Sequence, residues 1–266
     1  MKIQTLLVSD LGSIAELQPE GWPDIMPAVS FYINSDFCIS IKVIVENKIA
    51  GIGAGIIHKD IAWLAHIIVH PEYRNKGIGR MITQTLVDRL YAKNCSTIYL
   101  IATDLGAPVY EKVGFETETE YIFFKDIQMA QKFELSSNIT AYTDAYKKQI
   151  GHIDRQVSGE ERMFHIEPYL TGAYLYIQGN IVEGFYLPSF GEGLIIANTS
   201  QSGIDLMKLR LTVNENVAFP VDNLNAKEFM YQNNFKEFKS AKRMRLGLRR
   251  TWLAQHIYNR IGGNLG

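Results

Sequence analysis

Ile61-Ala62-Trp63-Leu64-Ala65-His66-Ile67-Ile68-Val69 runs into His70-Pro71-Glu72-Tyr73-Arg74-Asn75-Lys76-Gly77-Ile78-Gly79-Arg80, and the junction between these pieces decides the fold. The first piece is an apolar run ended by His70-Pro71, the pattern of a strand covered on both faces. From Met81 onward Ile82, Leu86, Val87 and Leu90 recur at helical spacing, which predicts a helix reaching Asn94. Two glycines thus stand where a strand turns into a helix.

The first N–H groups of a helix have no partner within it, and the macrodipole makes that end partly positive. Gly77 and Gly79 lack a Cβ, so an anion can approach the backbone, and Arg74, Lys76 and Arg80 add positive charge. A diphosphate fits this description. The dinucleotide-binding G-x-G-x-x-G pattern fails because Ile82 stands where the third glycine belongs, and a kinase-type P-loop fails for want of G-K-[ST].

Arg74-Asn75-Lys76-Gly77-Ile78-Gly79 resembles the R/Q-x-x-G-x-G/A acyl-CoA pyrophosphate loop of the GNAT superfamily of N-acetyltransferases. Downstream, Ala107-Pro108-Val109-Tyr110-Glu111-Lys112-Val113-Gly114-Phe115 resembles the A-x-x-x-Y-x-x-x-G-F stretch of the same family. The resemblance implies acetyl-CoA as cosubstrate, no metal, and transfer of the acetyl group to an amine by direct attack in a ternary complex. It implies that the strand Ile61 to Val69 splays from its neighbour at a bulge. There Ile67, Ile68 and Val69 would bond the pantetheine and the Val69 N–H would polarise the acetyl carbonyl. Arg74, Asn75, Lys76, Gly77, Ile78, Gly79 and Arg80 would hold the diphosphate. Asp104 stands where the family often has an asparagine on the pantetheine, a departure, since an ionised carboxylate cannot donate. Ala107 and Tyr110 would lie against the cofactor, with Tyr110 protonating the departing thiolate.

Attack requires a neutral amine. For a lysine-like acceptor of pKa about 10.4, only about one molecule in 2500 is neutral at pH 7, a cost near ~4.6 kcal/mol. His66 is the titratable group nearest the expected oxyanion position and is the candidate base, with a structural role as the alternative. Period two puts it on the face of Leu64 and Ile68, opposite Ile67 and Val69. His70 and Glu72 are weaker candidates at the mouth.

The chain has 266 residues, 47% apolar and 21% charged, with formal net charge -1, a balance with no pull toward nucleic acid or membrane. No segment is long enough to span a bilayer, and the apolar start Met1 to Val8 is too short for a signal peptide and reads as a strand. Cys38 and Cys95 read as reduced core residues of a cytoplasmic protein. Helices are expected at Leu11 to Leu17 and at Trp22 to Phe31; Trp22, Phe31, Tyr32 and Phe37 either line an acceptor pocket or pack the core. Ile39 to Glu46 and Ile49 to His58 form a hairpin turning at Asn47-Lys48. Gly51, Gly53 and Gly55 in its second strand imply a bulge, an approaching substrate, or tight packing against a helix.

Periodicity lapses from Asp126 to Asn138, a linker or crossover, and the order of elements then repeats. Strands are expected at Tyr174 to Gln178, Ile181 to Tyr186, Gly193 to Ala197, Asn216 to Pro220 and Phe235 to Leu246, with helices at Ile204 to Leu211 and Ala226 to Asn233. Asp154-x-x-x-x-Gly159-x-x-Arg162, Asp222, Asn225-Ala226 and Arg243-Met244 resemble the C-terminal domain of tandem GNAT proteins. The implied fold is α/β: two GNAT-like (acyl-CoA N-acyltransferase) domains, each a mixed, mostly antiparallel sheet flanked by helices. The domains are 1–127 and 138–250, with a tail of 251–266 holding a short helix from Trp252 to Tyr258.

In the second half, Ala197 to Gly203 takes the place of the phosphate loop without its motif or basic cluster, so no second CoA is expected there. That domain is left to build the acceptor pocket, to bury a sheet edge or to mediate homodimerisation. Asp154, Arg162 and Asp222 read as ligands of a polar substrate or as structural ion pairs. The basic residues from Lys236 to Arg250 alternate with apolar ones like a solvated sheet face rather than a nucleic-acid surface. The acceptor is a small-molecule or peptide amine; the rival readings are a non-catalytic acyl-CoA sensor and a protein-interaction module.

Overall fold

The computed structural model describes residues 1–128 and 133–266. Contacts group them into two compact units, 1–117 with 244–249 and 263–265, and 118–243 with 250–262 and 266.

The first unit begins with β1 (Lys2–Thr5), α1 (Leu11–Ile14), α2 (Met26–Asn34), β2 (Cys38–Val45), β3 (Lys48–His58) and β4 (Ile61–Val69). It continues through α3 (Ile78–Ala92), β5 (Thr97–Ala102), α4 (Ala107–Glu111) and the start of β6 (Glu116–Phe124). Strands β1 to β5 lie side by side in chain order, antiparallel until β4, which pairs parallel to β5. The β2–β3 turn is Glu46-Asn47, both at positive φ (49° and 62°), one residue earlier than the sequence suggests. Such a two-residue turn follows the strand twist, and asparagine tolerates the conformation.

The sheet is covered on both faces. On one, Ile78, Ile82, Leu86 and Leu90 of α3 pack with Ile41, Val43 and Leu64. On the other, Ile14, Leu17, Ile25 and Val29 pack with Ile52 and Ile68. The β3 glycines are where α3 comes closest: a Cβ on Gly53 would lie 2.5 Å from Ile82 Cγ2, and one on Gly55 would lie 3.2 Å from Leu90 Cδ1. Close helix packing therefore accounts for these glycines, with a bulge at Gly53.

The second unit takes up β6 and adds β7 (Ile139–Ala141), α5 (Lys147–Ser158), α6 (Met163–Ile166), β8 (Tyr174–Gln178), β9 (Ile181–Leu187) and β10 (Leu194–Ala197). Then come α7 (Ser200–Leu211), β11 (Val217–Pro220), α8 (Leu224–Gln232), β12 (Glu237–Gly247) and β13 (Ile257–Asn259). Its five-stranded sheet has the order β13-β10-β9-β8-β7, and β11 pairs with β6. The succession β8-β9-β10-α7-β11-α8-β12 repeats β2-β3-β4-α3-β5-α4-β6.

Several local expectations shift. The helix expected from Trp22 starts at Met26, because Asp24 caps the Met26 N–H (2.9 Å) and leaves Trp22 in the preceding turn. The short helix expected over residues 252–258 is reduced to a single 3-10 turn at Ala254–His256, which leads into β13. The compact units divide at Thr117, ahead of the 127 boundary, and residues 244–249 close the first unit's sheet beside Ser96, where Leu248 donates to Ser96 O (2.9 Å). Gln131 and Lys132 of the expected linker lie outside the described residues. In the basic segment, Arg243 is buried and bonds Glu118 (3.3 Å), so only the strand's first half is a solvated face. Asp154 and Arg162 are a buried bidentate pair, with Gly159 supplying the left-handed helix cap (φ 73°). Among the described residues no helix is long and apolar enough to cross a membrane.

Gly53→Val is expected to lower stability by about 1–3 kcal/mol by overpacking against α3. Gly12→Ala, where a Cβ meets open space, should leave the melting temperature unchanged or raised. Thermal melts decide, and an unchanged Tm for Gly53→Val would refute the close-packing account.

Candidate active site

β4 governs the site. Its pairing with β5 covers only Ile61 to Trp63 opposite Thr97 to Tyr99, and beyond that the strands part. On its other edge the register with β3 slips between Ile52 and Ala54, so that His66 and Ile67 together oppose Gly53. His66 sits at φ 46°, a left-handed conformation rare for a non-glycine residue.

The bulge resets the alternation of side chains. Leu64 before it and Ile67 and Val69 after it all pack on the α3 face, whereas Ile68 packs on the α2 face. Strict period two had put Leu64 and Ile68 together; the extra residue in the bulge separates them. His66 does lie on the side of Ile68, in a crevice lined by Leu6, Val29, Tyr32 and Ile52.

Backbone direction follows by the same logic. The His70 N–H donates to Ala50 O of β3 (2.9 Å), so the N–H and C=O of Val69 point to the opposite edge, toward the gap. Arg74 confirms that direction by donating from Nε to Val69 O (3.3 Å). Ile67 shares Val69's orientation, and Ile68 faces β3.

At the head of the gap, Asn75 (φ 60°) and Gly77 (φ 78°) are both left-handed, and Gly77 is the N-cap of α3 without a side-chain cap. The helix therefore opens with unpartnered N–H groups, and a Cβ on Gly77 would meet nothing within 4 Å. Arg74, Lys76 and Arg80 are exposed there, with Lys76 Nζ 5.1 Å above the Tyr73 ring. Ile78 is buried and anchors the turn.

Gly79 ties the parts together: a Cβ on it would lie 3.7 Å from Val69 and 3.9 Å from Val109 of α4. Tyr110 follows Val109, half-buried in the α3-face core with its ring edge-on to Phe115 (6.1 Å). Burial pushes its hydroxyl up to about 12, so it stays protonated at neutral pH. Ala107 is buried at the start of α4, and Asp104 is exposed on the turn before it.

His66 belongs to a different group. Its Nδ1 is 2.8 Å from the hydroxyl of Tyr32, which also receives a hydrogen bond from Asn264 Nδ2 (3.0 Å). An amide nitrogen only donates, so the Tyr32 hydroxyl accepts from Asn264; we assign the hydroxyl's own proton to Nδ1, which places the His66 proton on Nε2, and the nitrogen-15 test below decides between this and an Nδ1–H donor. Burial also lowers the imidazole pKa to about 4. A neutral histidine with Nδ1 engaged and a proton on Nε2 is a hydrogen-bond donor and a weak base. Trp22, 44% exposed, meets the His66 ring edge-on (6.1 Å). Phe31 packs edge-on against both Phe37 (5.7 Å) and Tyr32 (5.9 Å). Trp22 and Tyr32 were legible as aromatic candidates; Asn264 was not, since nothing in its sequence surroundings signals a partner so distant in the chain.

Residues 9–115 match the Acetyltransferase (GNAT) family. The [Ribosomal protein bS18]-alanine N-acetyltransferase of Salmonella typhimurium is 27% identical over 84 residues, 30% of this chain and 57% of that enzyme. The chain spans 30% and 48% of two further curated relatives, so each is matched over less than two thirds of its length. A Pyrococcus horikoshii protein described as a candidate acetyltransferase superposes with TM-score 0.82 at 20% identity, over 100% of this chain and 95% of that one. A tandem GNAT protein from the clavulanic acid biosynthesis pathway does so with TM-score 0.64 at 11% identity, over 92% and 98%.

The tautomer assignment has a pH consequence. The imidazole titrates near 6.5 unfolded and near 4 folded, so between these values the unfolded state binds more protons and stability rises with pH. This contribution is complete above about pH 6.5 and is lost as pH falls toward 4. His66→Gln should flatten that part of the stability profile, and nitrogen-15 spectra should show the neutral proton on Nε2; a His66 titration above pH 6 would overturn the assignment. The family match over residues 9–115 and the likeness in fold along the whole chain lead to one statement: residues 9–115 are a GNAT acetyltransferase domain, on a chain whose fold is like that of a tandem GNAT protein.

Proposed function

We propose that the first unit transfers an acetyl group from acetyl-CoA to the amine of a small molecule or peptide by direct attack. The observation that carries this is the gap between β4 and β5, which begins where pairing stops at Trp63 and leads to the uncapped start of α3 at Gly77. A diphosphate at that helix end, with Arg74, Lys76 and Arg80 around it, directs the pantetheine arm along the gap. The arm bonds the outward-facing backbone of Ile67 and Val69 as an added strand would.

The Val69 N–H then meets the thioester oxygen and stabilises the charge that develops as the amine attacks. The new C–N bond forms, the C–S bond breaks, and the electron pair leaves on sulfur. Tyr110 donates a hydrogen bond to that sulfur. Complete proton transfer from a hydroxyl near 12 to a thiolate of ordinary pKa about 8.5 is uphill, so the stabilising contribution is made in the transition state. The amine's proton leaves through water. His66 orients the acceptor by donating from Nε2, beside the half-exposed ring of Trp22, and does not act as base. On this reading donor and acceptor approach from the two faces of β4, the α3 face carrying Tyr110 and the α2 face carrying His66.

Calorimetric titration with acetyl-CoA is the test. Wild type is expected to bind at micromolar Kd, one site per chain. Gly77→Glu, which strains the left-handed position and sets a carboxylate at the diphosphate site, should abolish binding; Arg74→Ala should weaken it. Tyr110→Phe should retain affinity while kcat falls by about 10²-fold in an amine screen. No binding by wild type would overturn the reading, and binding without turnover for any amine would leave an acyl-CoA sensor in its place.

A further inference from the structure

In the first unit β4 and β5 part and leave a gap. The corresponding strands of the second unit, β10 and β11, lie in different sheets among the described residues, and the space beside them is taken by the chain's own C-terminal segment. β13 pairs antiparallel with β10, Ile195 opposite Asn259 and Ile196 opposite Ile257. Its other side engages β11: Asn259 Oδ1 accepts from the Ala218 N–H (3.0 Å), and the Arg260 N–H donates to Ala218 O (2.8 Å).

The fit extends to side chains. Asn259 is fully buried and donates from Nδ2 to the carbonyls of Glu192 (3.1 Å) and Gly193 (2.7 Å), so one amide satisfies groups on both walls. Asn223 caps α8 through Oδ1 on the Ala226 N–H (2.9 Å) and donates from Nδ2 to Ile257 O (3.0 Å). Tyr258, 1% exposed, lies flush on α7 at Gly203, where a Cβ would come within 2.2 Å of the ring. The start of α7 is closed by Thr199, whose hydroxyl accepts from the Ser202 N–H (3.2 Å). Arg260 finishes the segment with a two-pronged bond to Glu192 (2.6 and 2.8 Å).

We propose that the slot between β10 and β11 is a receptor for an extended peptide, filled here by residues 257–260 of the same chain. A peptide strand thus completes the second unit where a cofactor arm would complete the first. The recognition elements are an asparagine that bridges both walls, an aromatic ring one residue earlier that needs glycine beneath it, and an arginine one residue later that pairs with an acidic rim. The inference does not depend on any catalytic role of the first unit, since its test uses no cofactor.

A site-specific protease sequence inserted between the exposed Arg249 and the adjacent Arg250 lets the protein fold intact before the C-terminal segment is cut free. After cleavage, the segment should stay with the body through native gel filtration and leave only in denaturant. Asn259→Leu and Tyr258→Ala should each speed its release by roughly tenfold or more. A synthetic peptide of residues 252–261 should rebind to the stripped body, and one carrying the Asn259→Leu change should not. Residues 263–265 are common to every variant, so their contacts cancel in the comparison of release rates. Prompt loss of the segment from the cut wild type would overturn the proposal, as would release rates unaltered by both substitutions.

Discussion

One extra residue in β4 is the constraint on which the rest depends. With His66 held left-handed opposite Gly53, the strand shifts register against β3 and resumes pairing at Ile68. A bulged strand twists more sharply than its neighbour. β4 accordingly leaves β5 after Trp63, and the backbone of Ile67 and Val69 is freed on the gap side. The same residue shifts Ile67 and Val69 onto the α3 face. The start of α3 is then brought to the strand's end, where Gly79 nearly touches Val69.

The two faces that result are chemically different. On the α3 face, apolar packing surrounds Tyr110 and raises its pKa, so the hydroxyl keeps its proton at neutral pH. On the α2 face, Asn264, Tyr32 and His66 form a hydrogen-bond chain in which the amide nitrogen, having no lone pair to offer, donates to the Tyr32 hydroxyl. Burial lowers the imidazole pKa, and the assigned tautomer places its remaining proton on Nε2. On the proposed reading His66 is therefore a donor rather than a base.

The second unit shows the same topology used differently. Where the first unit opens with an uncapped helix and exposed cations, the second has a capped helix, a ring against Gly203 and a strand in the slot. An unpaired strand edge is costly when buried, and in the second unit β13 supplies the missing partner of β10. The buried Asp154 and Arg162 pair serves the packing of this unit, their bidentate contact closing the turn that Gly159 begins.

Local chemistry made much of this legible from residues alone. The apolar run of β4, the glycine turn, the helical period of α3 and the motif around Tyr110 are each contained in a short stretch, and together they specify the unit. The repeat of elements in the second half was legible for the same reason. The phase change at His66 was not, because period two holds along a strand only while its partner adds residues at the same rate, and the partner is β3. The reason for the β3 glycines lies in the side chains of α3, which approach only after folding. Asn264 and β13 lie at the far end of the sequence from Tyr32 and well beyond β10, and their roles arise from hydrogen bonds that no local pattern encodes. The sequence by itself determined which segments become strands, helices and the glycine turn before α3, since propensity and periodicity act within a few residues. Only the tertiary structure decided which edge stays open, which is filled and which way the His66 proton points, because these depend on groups that meet across the chain.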